Sequence, residues 1–420
     1  MAMIESAVTA TELESIDETL PVLFERNDKF FSRIEKRPAM KVSNRAMRVP
    51  LEIRPGGDFA HFDPDGGDLG LGEGPTYDVA TLQVAFTRQA IQWTKKAEWS
   101  TDDRRKAIID VIRTLTSKGM AEFRRNLNAL CMGAGNGVLA TINTVSTTTI
   151  TNDTLALDGA TDGFNAKLLR YGMRVNIYDA TLATQRTPGT LPKIIFYDLP
   201  NKTIRLDQTV ASIAATDKIV VAGVFGATPT SLFGMQYHDN GASTGTWLNF
   251  NRATTPEVRG NRVAAGGTFA LPFARLARNK VGDRLGEENI KKMRAWMHPA
   301  QMQAYEAQGQ LVTLIQKTTA DQGLNLYFGD NAQLAGAQVE TDFSMDKTRI
   351  DFIDESNWAR AEMYPVKFYD VDGRRIFELR GASGGVATSQ VFYICAGFQI
   401  YVRNPAACVF IDTLTIPPGY

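Results

Sequence analysis

Asp63-Pro64-Asp65-Gly66-Gly67-Asp68 is the run most suggestive of chemistry, because closely spaced carboxylates among glycines can wrap a calcium ion. Counted from Asp63, however, the sixth place is Asp68 where such a loop needs glycine, and the twelfth is Gly74 where it needs a bidentate glutamate. An EF-hand is therefore excluded. Gly133-Ala134-Gly135-Asn136-Gly137 invites a dinucleotide reading, but that fingerprint requires a strand before it and a helix after it. Here a helical run precedes the glycines, so they read as a helix stop and linker. Gly70-Leu71-Gly72-Glu73-Gly74 has no helix behind it to receive a phosphate.

The three histidines, His61, His238 and His298, lie far apart, and no Cys-x-x-Cys or His-x-x-x-His pair accompanies them. They read as ordinary loop or helix-start residues. No Gly-x-Ser-x-Gly elbow and no phosphate-binding GxxxxGK[ST] loop occurs, and nothing pairs two carboxylates in a pocket. Trp93, Trp99, Trp247, Trp296 and Trp358 have no basic residues interleaved in a repeated pattern, which favours core and interface packing over base or sugar stacking. No catalytic, cofactor or metal residue is expected.

The totals lack the basic excess usual in a dedicated DNA reader. Lys+Arg and Asp+Glu stand at 46 each in 420 residues, so no net field draws the chain to DNA or to an anionic membrane. Cys131, Cys395 and Cys408 are an odd number in apolar surroundings, and read as buried thiols kept reduced. No apolar run reaches the ~18 residues a membrane helix needs, and the acidic N-terminus lacks a signal-peptide pattern, so a cytosolic soluble chain is expected.

The elements that would position any site begin with residues 101–131. Thr101 suits an N-cap, Asp102 and Asp103 suit the positive end of a helix dipole, and Gly133 with Gly135 ends the run. Ile108, Ile112, Leu115, Phe123, Leu127 and Leu130 form one apolar stripe, interrupted where Gly119 is expected to mark a bend. Such a rod would be about 45 Å long, against a radius of gyration of about 22 Å for a compact chain of this size.

Residues 1–46 form an apolar-rich arm too short to bury its own Phe30, Phe31 and Ile34, so it docks either on the rod or on a neighbouring subunit. Residues 47–97 read as a long hairpin with a glycine-crowded tip. Its second arm changes phase between Leu82, Val84, Phe86 and Ile91, Trp93, which suggests a bulged or twisted strand. Arms of ten to fifteen residues would reach roughly 30 to 50 Å. A two-stranded ribbon that long is marginal in water and needs another surface to lie on.

Short Thr/Val/Ile-rich runs with regular turns over 138–228 suggest a small inserted sandwich or barrel. Residues 229–363 mix helices and strands, with a helix around 273–286, a strand at Met293–Met297 and a helix started by Pro299. Residues 364–420 are mostly β, with a turn at Asp372 and Gly373.

In that order the parts resemble the α+β major capsid fold of tailed bacteriophages, the Hong Kong ninety-seven type. The resemblance rests on the sequence of arm, glycine-tipped hairpin, long helix, mixed domain and C-terminal β region. Leu127-Asn128-Ala129-Leu130-Cys131-Met132-Gly133-Ala134-Gly135-Asn136-Gly137 is similar to the spine-helix exit before an inserted domain in many such proteins. Met293-Arg294-Ala295-Trp296-Met297-His298-Pro299 is similar to their axial strand and proline-started helix.

The resemblance implies a spine helix at 98–137, an inserted domain at 138–228, an axial domain at 229–363 and a C-terminal region shared by the peripheral and axial domains. It also implies a non-enzymatic protein without cofactors that self-associates as hexamers and pentamers into an icosahedral virion shell, assembled in the host cytoplasm. The implied partners are other copies, a separate scaffolding protein, a portal, in some members a decoration protein, and packaged DNA touched non-specifically, with no membrane. Some members cross-link through a hairpin lysine; none lies between Lys41 and Lys95 here, so a non-covalent shell is expected. Arg54, Asp58, Asp63, Asp65 and Asp68 are the candidate intersubunit contacts. A tail or decoration protein, or a two-domain enzyme with a β insertion, are the competing readings.

Overall fold

The computed structural model describes residues 29–37, 40–41, 46–61, 65, 67, 70–94, 104–144, 149–150, 154–157, 169–187, 189, 191–198, 203–223, 231–315, 333–380 and 385–418. The helix-cap residues expected at Thr101, Asp102 and Asp103, together with Trp99, lie outside them. In chain order the elements are α1 (Lys29–Arg33), β1 (Glu35–Lys36), β2 (Met40–Lys41), β3 (Ala46–Arg54), β4 (Thr76–Gln83), β5 (Ala85–Thr94) and α2 (Arg104–Met132). Next come β6 (Val138–Thr144), β7 (Thr149–Ile150), β8 (Thr154–Leu157), β9 (Val175–Tyr178), β10 (Ile194–Asp198), β11 (Thr203–Leu206), β12 (Val210–Ala211) and β13 (Lys218–Val221). Then follow α3 (Met235–His238), β14 (Thr246–Trp247), β15 (Phe250–Asn251), β16 (Asn261–Gly267), α4 (Leu271–Leu285), α5 (Glu287–Lys291), β17 (Arg294–Met297) and α6 (Pro299–Ile315). The last are β18 (Gln333–Leu334), β19 (Ala337–Thr341), β20 (Ile350–Ile353), β21 (Trp358–Phe368), β22 (Phe377–Arg380), β23 (Val386–Val402) and β24 (Val409–Leu414).

The 29 residues of α2 make a rod of about 44 Å. Its buried stripe, Met120, Phe123, Leu127 and Cys131, lies on a sheet ordered β1-β21-β23-β22, with β5 paired to β23. Gly119 serves as a notch in that contact: a Cβ there would stand 2.1 Å from Ile91 Cδ1 of β5. Gly119→Ala is accordingly expected to destabilise the fold by about 1–3 kcal/mol through overpacking, although alanine is the better helix former. Ile91→Ala should suppress that loss in the double variant, as read from chemical denaturation midpoints; additive losses would show that the notch has no role.

The part of the arm that is described docks on its own subunit. Phe30 stands edge-on to Trp296 and Trp358, Phe31 to Phe398, and β1 adds a parallel edge strand to β21. Polar contacts reinforce the docking: Arg33 Nη1 lies 2.8 Å from Glu340 and 3.2 Å from Glu355, and Arg294 reaches the same two carboxylates.

A second sheet, ordered β16-β24-β20-β17-β19-β18, forms its own core with Ala274, Ala277 and Val281 of α4 and with Met302 and Tyr305 of α6. His298 begins α6 as its cap, Nδ1 accepting from the Ala300 amide at 3.0 Å. The boundary expected between 363 and 364 falls inside β21, and β24 leaves the C-terminal region to sit between β16 and β20. That strand runs parallel to β16 from Asn261↔Val409 and antiparallel to β20, a pairing between chain segments too distant for local pattern to announce.

Between α2 and α3 the strands run β10-β11-β8-β6-β13-β9. The ends join through the Arg174↔Lys193 bridge and the Ile194 amide bonded to the Met173 carbonyl at 2.9 Å, which closes a six-stranded barrel. Its apolar interior, including Leu139, Ile142, Ile177, Ile204 and Ile219, meets α2 at Ala129. The chain enters it through Gly135 and Gly137, both at left-handed φ, which supports the helix-stop reading of that run.

Candidate assembly surface

The hairpin is β3 and β4, nine and eight residues long and about 30 Å in reach, and β5 is not part of it. The phase change in the sequence is a change of sheet: after Gln83 the chain leaves β3 and pairs with β23 from Ala85↔Phe398 to Thr94↔Ser389. A bulge and a switch of sheet both invert the alternation, so the pattern alone does not separate them. The switch is held by Gln399, whose Nε2 donates to the Gln83 carbonyl at 2.7 Å and whose Oε1 accepts from the Phe233 amide at 2.7 Å.

The base of the hairpin is fixed to its own subunit. Met47, Val49, Leu51, Ala80 and Leu82 pack against Trp247, Phe250, Val258 and Ala359. Asn249 clamps the free edge of β4, accepting from the Thr81 amide at 2.9 Å and donating to the Val79 carbonyl at 3.0 Å. Arg54 Nε reaches Glu257 Oε1 at 2.7 Å. Burial raises the Glu257 carboxyl, but the bond from Arg54 and the nearby positive charges outweigh it, leaving the group below the usual carboxylate range. Arg54, expected as an intersubunit contact, is therefore an anchor within its own chain.

Beyond this base no described residue of the same subunit is packed over the described tip. Phe59 and Leu71 are each 95% exposed, and Tyr77 and Val79 also face solvent. Pro50↔Val79 and Glu52↔Tyr77 pair across the hairpin, so Tyr77 and Val79 share its outer face. The Gly57 amide bonds to the Glu73 carbonyl at 2.7 Å and pins the neck of the loop. Asp58, His61 and Asp65 stand exposed there, while Asp63 and Asp68 lie outside the described residues. The apolar anchors Phe59 and Leu71 were missed in the sequence because isolated hydrophobes in a glycine-rich loop carry no periodicity.

Two buried polar sites at the root of this surface also escaped sequence reasoning. His238, expected as an ordinary loop or helix-start residue, is wholly buried at the end of α3. Its Nδ1 accepts from Trp247 Nε1 at 2.9 Å, and Nε2 lies 3.0 Å from the Ile400 carbonyl. That geometry requires the neutral Nε2–H tautomer, and burial drives the imidazole down to about 3. Arg349 lies between Asp239 at 2.5 Å and Asp351 at 2.6 Å, with its guanidinium 3.8 Å from the centre of the Phe410 ring. Burial and the Asp239 carboxylate push Asp351 well above the carboxylate range, while the two acids hold Arg349 firmly protonated. Both sites tie the 231–260 segment beneath the hairpin to the two sheets.

The thiols divide. Cys131 and Cys408 are buried, whereas Cys395, expected to be buried, is only half so and lies on the face of β23 away from α2. Among the described residues no group of three or more His, Cys, Asp or Glu side chains is placed to hold a metal ion, and no helix is long and apolar enough to cross a membrane.

No protein-family model matches the chain, and no curated protein matches it in sequence. Solved structures do. A chain of the cyanophage A-1(L) capsid asymmetric unit aligns over 91% of this chain and 90% of its own, with 11% identity and a TM-score of 0.51. A chain of the satellite phage P4 procapsid, which includes a size-determination protein, aligns over 95% and 91% at 11% identity and a TM-score of 0.43. The phage PhiM1 mature capsid follows over 93% and 88% at 9% identity and 0.42. The fold conclusion rests on the first of these: the chain has the α+β fold of tailed-phage capsid proteins, the Hong Kong ninety-seven type.

Proposed function

We propose that this chain is a structural major capsid protein. Copies associate through non-covalent contacts into hexamers and pentamers that close into an icosahedral virion shell around packaged double-stranded DNA. The observation that carries the proposal is the hairpin: its base is locked by apolar packing and an ion pair, while its tip presents Phe59 and Leu71 almost fully to solvent. A monomer has no use for a rigidly held ribbon with uncovered apolar ends; a lattice of identical copies does.

In this reading α2 is the spine helix, the barrel is the inserted domain, the β16–β24 sheet is the axial core, and the sheet bearing β21 and β23 is the peripheral one. Near-zero net charge suits an inner wall that holds DNA without adhering to it. Scaffolding, portal and decoration proteins are the accompanying partners, and assembly takes place in the host cytoplasm. Negative-stain microscopy of the chain expressed with its scaffolding protein tests the proposal. Shells or ring-shaped capsomers are expected, and compact monomers at every concentration would refute it. Denaturing gels of the particles should show single chains, because the hairpin lacks a lysine to cross-link.

A further inference from the structure

The β16–β24 sheet and the sheet bearing β21 and β23 are joined by a pair of matching links. Between β20 and β21 the chain makes one 3-10 turn, Glu355–Asn357, capped by Asp354 accepting from the Ser356 amide. Between β23 and β24 it makes another, Pro405–Ala407, capped by Asn404 accepting from the Ala406 amide. Arg403 ties the two side by side, its amide bonded to the Asn357 carbonyl at 3.0 Å and its Nη2 to the Ser356 carbonyl at 3.0 Å. Short turns at strand ends are where a chain absorbs a change of backbone angle, so the pair has the form of a double hinge. Each sheet also has packing of its own. The β16–β24 sheet is buried against α4 and α6, in a core to which no residue of α1 belongs. The other is buried against α2 through Ile91, Phe392 and Ile394.

The short helix α1 bridges the two. Phe30 sets one ring against Trp296 of β17 at 5.3 Å and Trp358 of β21 at 5.5 Å, one aromatic from each sheet. On the first sheet, Lys29 Nζ donates to the Thr341 carbonyl at 3.0 Å and Arg33 pairs with Glu340. On the second, Phe31 meets Phe398 and lies under the Arg360 guanidinium, 4.3 Å from its ring centre. Arg33 also holds Glu355, inside the first hinge turn, at 3.2 Å. α1 is the first described element and continues into β1, an edge strand of two residues. It can therefore leave without unpairing β21 from β23 or β17 from its neighbours.

We propose that α1 is a removable wedge. Seated, it fixes the angle between the two sheets and makes them one cooperative body; withdrawn, it leaves both folded and free to turn about the double hinge. Phe30 and Phe31 supply the hold, and Arg33 sets the register by gripping one carboxylate on the β16–β24 sheet and one in the hinge turn. The slot it fills, walled by Trp296, Trp358 and Phe398 and rimmed by Glu340 and Glu355, takes the same segment supplied in trans. The proposal stands independently of the shell reading.

Hydrogen exchange on the full-length chain, read by mass spectrometry, tests it. Phe30→Ser/Phe31→Ser should speed exchange by about tenfold or more at the hinge residues 354–358 and 402–408. Strands β16, β24, β17 and the α2-covered part of β23 should keep wild-type rates. A synthetic peptide of residues 29–37 should then restore slow exchange at the hinge of the variant and leave the wild type unchanged. Loss of protection throughout both sheets would show that α1 belongs to the folding core; unchanged hinge exchange would show that it locks nothing. Either result overturns the proposal, as would failure of the peptide to restore protection. Arg33→Glu keeps the buried rings and sets a third carboxylate against Glu340 and Glu355, so it decides the matter should the serine variant be insoluble. Faster exchange confined to the hinge is expected of it, and unchanged exchange there would contradict the wedge.

Discussion

Arg349→Met is expected to lower the stability of the folded subunit by about 3–5 kcal/mol, the loss associated with breaking a buried ion cluster from one side. The reason is not the strength of the bonds removed but the state of what remains. Asp239 and Asp351 are 0% and 1% exposed at their side chains, and without the guanidinium they would face each other across apolar surroundings. Their partial escape is protonation, for which Asp351 is already poised. Restoring neutrality should therefore recover much of the loss. The Asp239→Asn/Arg349→Met/Asp351→Asn variant is expected to be more stable than Arg349→Met alone, as measured by urea midpoints at constant slope. A triple variant less stable than the single would show that the cost lies in packing over Phe410, and the electrostatic account would be wrong.

The second large effect is a pH dependence with one owner. His238 takes up a proton in the unfolded chain near pH 6.5 but resists it in the fold until about 3. The added proton would occupy Nδ1 and break the bond from Trp247. The folded pKa is depressed for a base, so the contribution is intact above the unfolded value and is lost progressively as pH falls below it. Integrated over that window, the loss approaches about 5 kcal/mol, with a slope near 1.4 kcal/mol per pH unit. Comparing wild type with His238→Gln at pH 7, 5.5 and 4.5 isolates it, since every other titrating group is shared. The wild-type advantage should shrink as pH is lowered; curves that run parallel would mean that the imidazole is hydrated or already charged.

These two sites also mark the limit of what residues disclose before folding. The long helix announces itself because Phe123 and Leu127 repeat locally, and the 372–373 turn because Asp-Gly adopts the positive φ that such turns need. The hairpin is visible through its glycines and its alternation. What is hidden depends on distant partners. His238 becomes a buried acceptor only through Trp247 and the Ile400 carbonyl. Arg349 and Asp351 sit at the start of a strand buried on both faces, where polar residues betray no pattern until Asp239 arrives from another segment. The same holds for β24, whose neighbours lie about 60 and 150 residues away. The charges proposed for subunit contact split likewise: Arg54 turned inward to Glu257, and Asp58 and Asp65 remained at the tip.

Everything functional in this account depends on the tip being dispensable for folding and required for association. Replacing residues 58–72 with a short Gly-Ser linker between Gly57 and Glu73 preserves the neck bond and the packed base, so the thermal unfolding midpoint should stay within about 2 °C of wild type. Sedimentation velocity of the same sample, expressed with its scaffolding protein, should then show monomers in place of shells or capsomers. Shells of normal yield and size from the shortened chain would contradict the claim that the hairpin of one copy is completed by the next.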